Sequence, residues 1–234
     1  MTVFSATDSI SPSEKAYPPT ATFSILSRLR LETRAEHNAL DQLLDLMNTK
    51  LTLQSYARQL KQFYGFYAPL EQALQARRHL LADGPDGIAL PDVLSQALLA
   101  RLNKTAYLQQ DLQYLGIPID GQLLCRNLLP LRTQADVLGC LYVLEGATLG
   151  GRLISQHVQK VLGITPATGG SFFHGYGEHT GSMWQGMRQL LVAGSPDKVT
   201  ENAIVANAIA TFAGLRSWCE SVQKRATIEA TCHA

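Results

Sequence analysis

The run TQADVLGCLYVLEGATLGGRLISQHVQKVLG at residues 133–163 decides the fold class. Thr133 followed three residues later by Asp136 is a helix start, because side chains there satisfy backbone groups that the first turn leaves unpaired. Gly163 is a matching stop, so the spacing predicts one helix ending at Leu162. Gly139, Gly146, Gly150 and Gly151 lie inside it. At about 1 kcal/mol each relative to Ala, these glycines weaken the helix by about 4 kcal/mol unless close approach by something else compensates. Two explanations stay open at this point. Either a neighbouring helix packs against bare backbone, or a ligand does, with the helix kinked over it.

The same periodicity extends outward. From Ser24 onward apolar residues recur at three and four and nothing alternates at period two, so the fold class is all-α, with no repeat period. Ser24 caps a first helix to about Met47, whose stripe is Leu26, Leu29, Thr33, His37, Leu40, Leu44 and Met47. A second helix runs from Thr52 past Leu80 to Asp83 and Gly84, and Pro69 should bend or break it. Pro91 opens a segment to Leu115, interrupted near Asn103 and stopped by Gly116, Ile117 and Pro118. Residues 164–177 read as a glycine-rich loop, residues 179–193 as a short helix, and Ser195-Pro196 opens a last helix to about Arg225. Residues 1–22, rich in Ser, Thr, Ala and Pro, bury too little to offset ordering and read as a flexible leader. The expected organisation is that leader, one helical domain over 23–226, and a tail at 227–234.

Composition narrows the function. Of 234 residues 46% are hydrophobic and 17% charged, an ordinary globular balance, and the formal charge of +1 offers no global field to recruit nucleic acid or anionic lipid. No unbroken apolar run approaches membrane-spanning length, so no membrane association is expected. Cys125, Cys140, Cys219 and Cys232 form no CxxC pair and no secretory signal opens the chain, which together read as reduced thiols in the cytoplasm.

Several residues could carry chemistry. His37 lies on the apolar stripe, with Arg34 and Arg30 three and seven residues before it on the same face, anchored about 4.5 and 10.5 Å along the axis. That face suits a flat ligand with a central metal and peripheral carboxylates, since imidazole ligates iron and guanidinium pairs with carboxylate in fork geometry. Asp41, four residues after His37, can accept from the other ring nitrogen. A packed core histidine beside solvated charges is the plainer reading of the same pattern. His174 and His179 read as loop or surface residues, His157 as partly exposed lining, and His79 as part of a wet basic face. The HExxH and paired ExxH patterns of zinc and di-iron sites are absent, as are GxSxG, the Walker loop and GxGxxG after a strand. Redox chemistry would therefore need electrons from outside.

Three clusters then fall in a recognisable order: Leu29-Arg30-x-x-Thr33-x-x-x-His37; Tyr142-Val143-Leu144-Glu145-Gly146 to Gly150-Gly151; and Phe172-Phe173-x-Gly175-Tyr176-Gly177 leading to Gly181-x-Met183-Trp184. Together they resemble the heme oxygenase family, most closely its bacteriophytochrome-associated branch. The resemblance implies a single-domain helical bundle that holds heme between a proximal and a distal helix. It implies opening of heme, both cofactor and substrate, to biliverdin, carbon monoxide and ferrous iron with O2. It also implies a ferredoxin- or flavodoxin-type external electron donor, and possible service to a bacteriophytochrome as bilin supplier.

Carried over by position, His37 matches the axial iron ligand. Arg30, Arg34 and Tyr142 match positions near the heme propionates, with Arg188 a weaker candidate. Gly146, Gly150 and Gly151 match the distal glycines, where bare backbone leaves room for O2 and steers it toward one porphyrin edge. One departure stands out: Ala147 occupies the place of a distal aspartate that organises water in well-known members. Distal carbonyls and more remote polar groups would have to hold that water here. A heme carrier or sensor using the same His37, and a helical interaction module without ligand, are the competing readings.

Overall fold

The structure, a computed structural model, describes residues 24–82 and 101–232. The leader and residues 91–100 of the segment opened by Pro91 lie outside these residues. Among the described residues every regular element is helical: α1 (Ile25–Glu32), α2 (Arg34–Leu44), α3 (Leu53–Ala76), α4 (His79–Ala82), α5 (Lys104–Tyr114), α6 (Gln134–Leu162), α7 (Ser171–His174), α8 (Thr180–Ala193) and α9 (Lys198–Cys232), with two short 3₁₀ turns beside α7.

The predicted first helix divides at Thr33, whose hydroxyl donates to the Leu29 carbonyl at 2.6 Å and closes α1 before α2 begins. It also stops at Leu44 rather than Met47, because Asp45 turns left-handed at φ 47°. Pro69 does not break α3, which runs through it. Asn103 is where α5 begins, as the predicted interruption implies, but its side chain does not cap. Glu71 of α3 accepts from the Lys104 and Thr105 amides at 2.9 and 3.0 Å and fills that place. The predicted loop at 164–177 contains α7, whose first amides, Ser171 and Phe172, both donate to Asp111 at 2.8 Å. The last helix extends beyond Arg225 to Cys232.

The central element is α6. Thr133 and Asp136 cap it reciprocally and Gly163 ends it at φ 71°, as the sequence predicts. Gly139 and Gly151 answer the packing alternative. A Cβ on Gly139 would run into the Ile204 carbonyl of α9, and one on Gly151 would sit 2.8 Å from the Phe173 carbonyl of α7. Bare backbone at these positions lets α9 and α7 close on α6.

An 18-residue window of α6 has mean hydropathy 1.4, long and apolar enough to cross a membrane by composition, although glycines keep its unbroken apolar runs short. More than half of that window (56%) is buried in the protein, and α6 carries a buried ion pair, so it is the core helix of this bundle. Cys125, Cys140 and Cys219 are buried free thiols, and burial pushes Cys140 and Cys219 up to about 12.

Candidate functional site

A cavity of about 410 Å³ opens between α2 and α6. From α2 it is lined by His37 and Asp41, from α6 by Gly146, Ala147, Gly150 and Gly151, and from α3 and α7 by Phe63, Tyr67, Phe172 and Phe173. Phe212 and Leu215 of α9 and Lys104 and Tyr107 of α5 complete it, with Tyr176 beyond α7. The volume and the predominantly apolar wall with a few polar groups suit a small-molecule ligand.

Local packing aims His37. Glu36 pairs with Arg216 of α9 at 2.9 Å, Gln59 of α3 donates to the Leu44 carbonyl at 3.1 Å, and the His37 ring stands edge-on to Phe212 with centroids 5.4 Å apart. Nδ1 of His37 lies 3.2 Å from Oδ2 of Asp41. A proton on Nδ1 puts the ring lone pair on Nε2, the state in which imidazole ligates a metal. The side chain remains 37% exposed, so it is not the packed core histidine of the plainer reading.

Gly146 behaves differently from its neighbours in α6. A Cβ there would meet the Trp184 ring at 3.7 Å, ordinary contact, so protein packing does not require glycine at this position. Thr148 donates to the Glu145 carbonyl at 2.6 Å within the same stretch, drawing a backbone acceptor toward its own side chain.

The predicted propionate partners are not among the lining residues of this cavity. Arg30, Arg34 and Arg188 are exposed. Tyr142 is half-buried against Trp184, with ring centroids 5.8 Å apart. Burial raises its phenol, while a hydrogen bond with Thr33 and the charge of Arg30 act the other way. Arg30 and Tyr142 are thus brought near one another beside the α1–α2 joint. His157 makes a 2.9 Å contact with the Asn48 carbonyl, linking α6 to the loop after α2, and His79, His174 and His179 are exposed. None of these four lines the cavity.

The polar end of the cavity was not legible as a site. Glu145, 1% exposed, receives Lys104 Nζ at 2.6 Å, and the Tyr176 hydroxyl donates to it at 2.9 and 3.1 Å. Arg101 adds a longer contact to Glu145 at 3.7 Å. Burial, then the Glu145 carboxylate, raise the Tyr176 phenol. One signal was available: a lone carboxylate after the apolar run 137–144 cannot be buried without a cation. Which cation answers it depends on how α5 packs, and sequence spacing does not give that.

Comparison with known proteins bears on what the cavity holds. Residues 23–123 match the sequence model of the family described as heme oxygenase. Three solved structures share the fold. The heme oxygenase of Neisseria meningitidis, described in its NO- and CO-bound forms, has TM-score 0.65 at 22% identity, covering 86% of this chain and 92% of its own. That of Leptospira interrogans has TM-score 0.64 at 20% identity, covering 85% and 100%. Heme oxygenase 2 of Chlamydomonas reinhardtii, without heme, has TM-score 0.61 at 18% identity, covering 85% and 97%. A comparison with curated proteins found no match.

Proposed function

We propose that the chain is a heme oxygenase, as the match of residues 23–123 to that family's model and the shared fold support, and that it degrades heme in the cavity between α2 and α6, giving biliverdin, carbon monoxide and ferrous iron. The observation that carries this reading is the meeting of His37 and the Gly146–Gly150 stretch, from two different helices, on one apolar cavity. The donor set fits the ligand. A single imidazole with a carboxylate behind it suits a metal that arrives with its own equatorial ligands, and among the described residues no group of three or more His, Cys, Asp or Glu could hold a bare ion.

Bound heme supplies the iron that activates O2 and the macrocycle that is cleaved. The protein's part is to bind, orient and exclude. His37 would hold the iron through Nε2, with Asp41 fixing its tautomer. The backbone of Gly146, Gly150 and Gly151, on the cavity wall that α6 supplies, would confine where O2 can lie. The rings of Phe63, Phe172, Phe173 and Phe212 keep bulk water from the reacting centre. Arg30, Arg34, Tyr142 and Arg188 would hold the propionates, which are the charged groups of the ligand. Electrons come from an external ferredoxin- or flavodoxin-type donor, the protein works in the cytoplasm, and its bilin supplies a bacteriophytochrome.

Aerobic incubation of the full chain with hemin and a reductase system tests the reaction. We expect the heme absorption band to give way to a bilin spectrum with release of carbon monoxide. Persistence of intact bound heme would make the protein a carrier or sensor, and absence of any heme band would make it a module without this ligand.

A further inference from the structure

His157 stands outside the cavity, yet it bonds to a turn that forms part of the cavity's wall. Resting on the heme reading above, we propose that His157 is a positioning residue: it pins the turn at residues 45–51 to α6, and so holds Leu46 and Met47 against the edge of the bound macrocycle.

The turn is built around Asn48. The Asn48 amide donates to the Asp45 carbonyl at 3.2 Å, and its side-chain nitrogen donates to Asp45 Oδ2 at 2.6 Å. Asn48 Oδ1 accepts from the Lys50 amide at 2.8 Å, and the Asn48 carbonyl accepts from the Leu51 amide at 3.1 Å. These bonds fix the shape of the turn but tie it to nothing beyond itself. Leu46 and Leu51 anchor it by burial, which has no direction. The directional tie is the second lone pair of the Asn48 carbonyl, which accepts from His157 Nε2 at 2.9 Å. A carbonyl only accepts, so Nε2 carries the hydrogen whether the ring is neutral or charged.

Where the pin sits gives it a consequence for the ligand. Asp45, Leu46 and Met47 line the cavity, and so does Ile154 of α6. Ile154 lies three residues before His157 on the same face of the helix. The cavity therefore closes at this end between the turn and α6, with the pin about one helical turn beyond the closure. Both ends of the turn let it lift: Asp45, left-handed at φ 47°, breaks from α2, and Thr52 starts α3. Without the pin, Leu46 and Met47 lose their fixed distance from Ile154, and the ligand loses packing along that edge.

The test is the rate at which hemin passes from wild type, His157→Ala and His157→Gln to excess apomyoglobin, read by absorbance, alongside amide hydrogen exchange of each protein without hemin. One ordinary hydrogen bond held in the bound state is worth a factor of about three to five, so His157→Ala should release hemin that much faster. Glutamine offers an N–H at similar reach, and His157→Gln should restore the rate to within about twofold of wild type. In His157→Ala, exchange should quicken in the 45–51 turn and stay unchanged in the middle of α6. An unchanged release rate in His157→Ala with hemin bound overturns the proposal and leaves the heme reading standing. So does a faster release that His157→Gln fails to restore, or one accompanied by faster exchange along all of α6, which marks His157 as a helix stabiliser. Wild type that binds no hemin overturns the heme reading and this proposal together.

Discussion

The two helices that face the cavity, α2 and α6, are held by different means. α6 is 29 residues long, reciprocally capped, and seated against α9 and α7 through Gly139 and Gly151. α2 has 11 residues, no side-chain N-cap bond, and two side chains in the core, Leu40 and Leu44, with the Glu36–Arg216 pair and Gln59 at its last carbonyl as its polar ties. The roof is therefore built by folding itself, before any ligand arrives. The wall that carries His37 has only Leu40 and Leu44 in the core and a few solvent-screened polar contacts beside them. Ligation of iron by His37 would then stabilise α2 far more than α6.

Substitutions can break this contrast. The largest effect belongs to His37→Ala, which should lower heme turnover by at least about a hundredfold, or about 2.7 kcal/mol of barrier, in the bilin assay while leaving the melting of the protein without hemin unchanged. Next is Gly139→Ala. Its new methyl meets a backbone carbonyl that cannot step aside, so the protein without hemin should lose about 1–3 kcal/mol by denaturant unfolding despite the better helix propensity of Ala. Asp41→Asn should weaken hemin affinity about tenfold, the low end for the partner of a metal-binding histidine because Asp41 is itself 54% exposed; titration of the heme absorbance reads this directly. Gly146→Ala should change stability by no more than about 1 kcal/mol, since its methyl only touches Trp184, yet should lower hemin affinity several-fold. Equal destabilisation by Ala at Gly139 and Gly146 would erase the distinction between packing glycines and ligand glycines.

Much of this was legible in the sequence because helix signals are local. Thr133, Asp136 and Gly163 gave both ends of α6, and the three-and-four spacing carried His37 onto a face of its own. The four glycines posed the right question, but whether a helix or a ligand faces each one depends on neighbours distant in the chain. Gly139 therefore could not be told from Gly146 until Ile204 and Trp184 were in place. Thr33 misled the reading of the first helix, because a hydroxyl that takes the Leu29 carbonyl ends a turn without any glycine or proline to announce it. Pro69, expected to bend or break its helix, does not break it, because the helix is packed along most of its length. The Lys104, Glu145 and Tyr176 cluster was the least legible part, being assembled from three elements far apart in sequence.

The most direct measurement is resonance Raman spectroscopy of the ferrous heme complex in wild type and His37→Ala. An iron–histidine stretching band in wild type, lost in His37→Ala and regained on adding imidazole, is the expected result. The same band persisting in His37→Ala would place the iron on another residue and contradict the account.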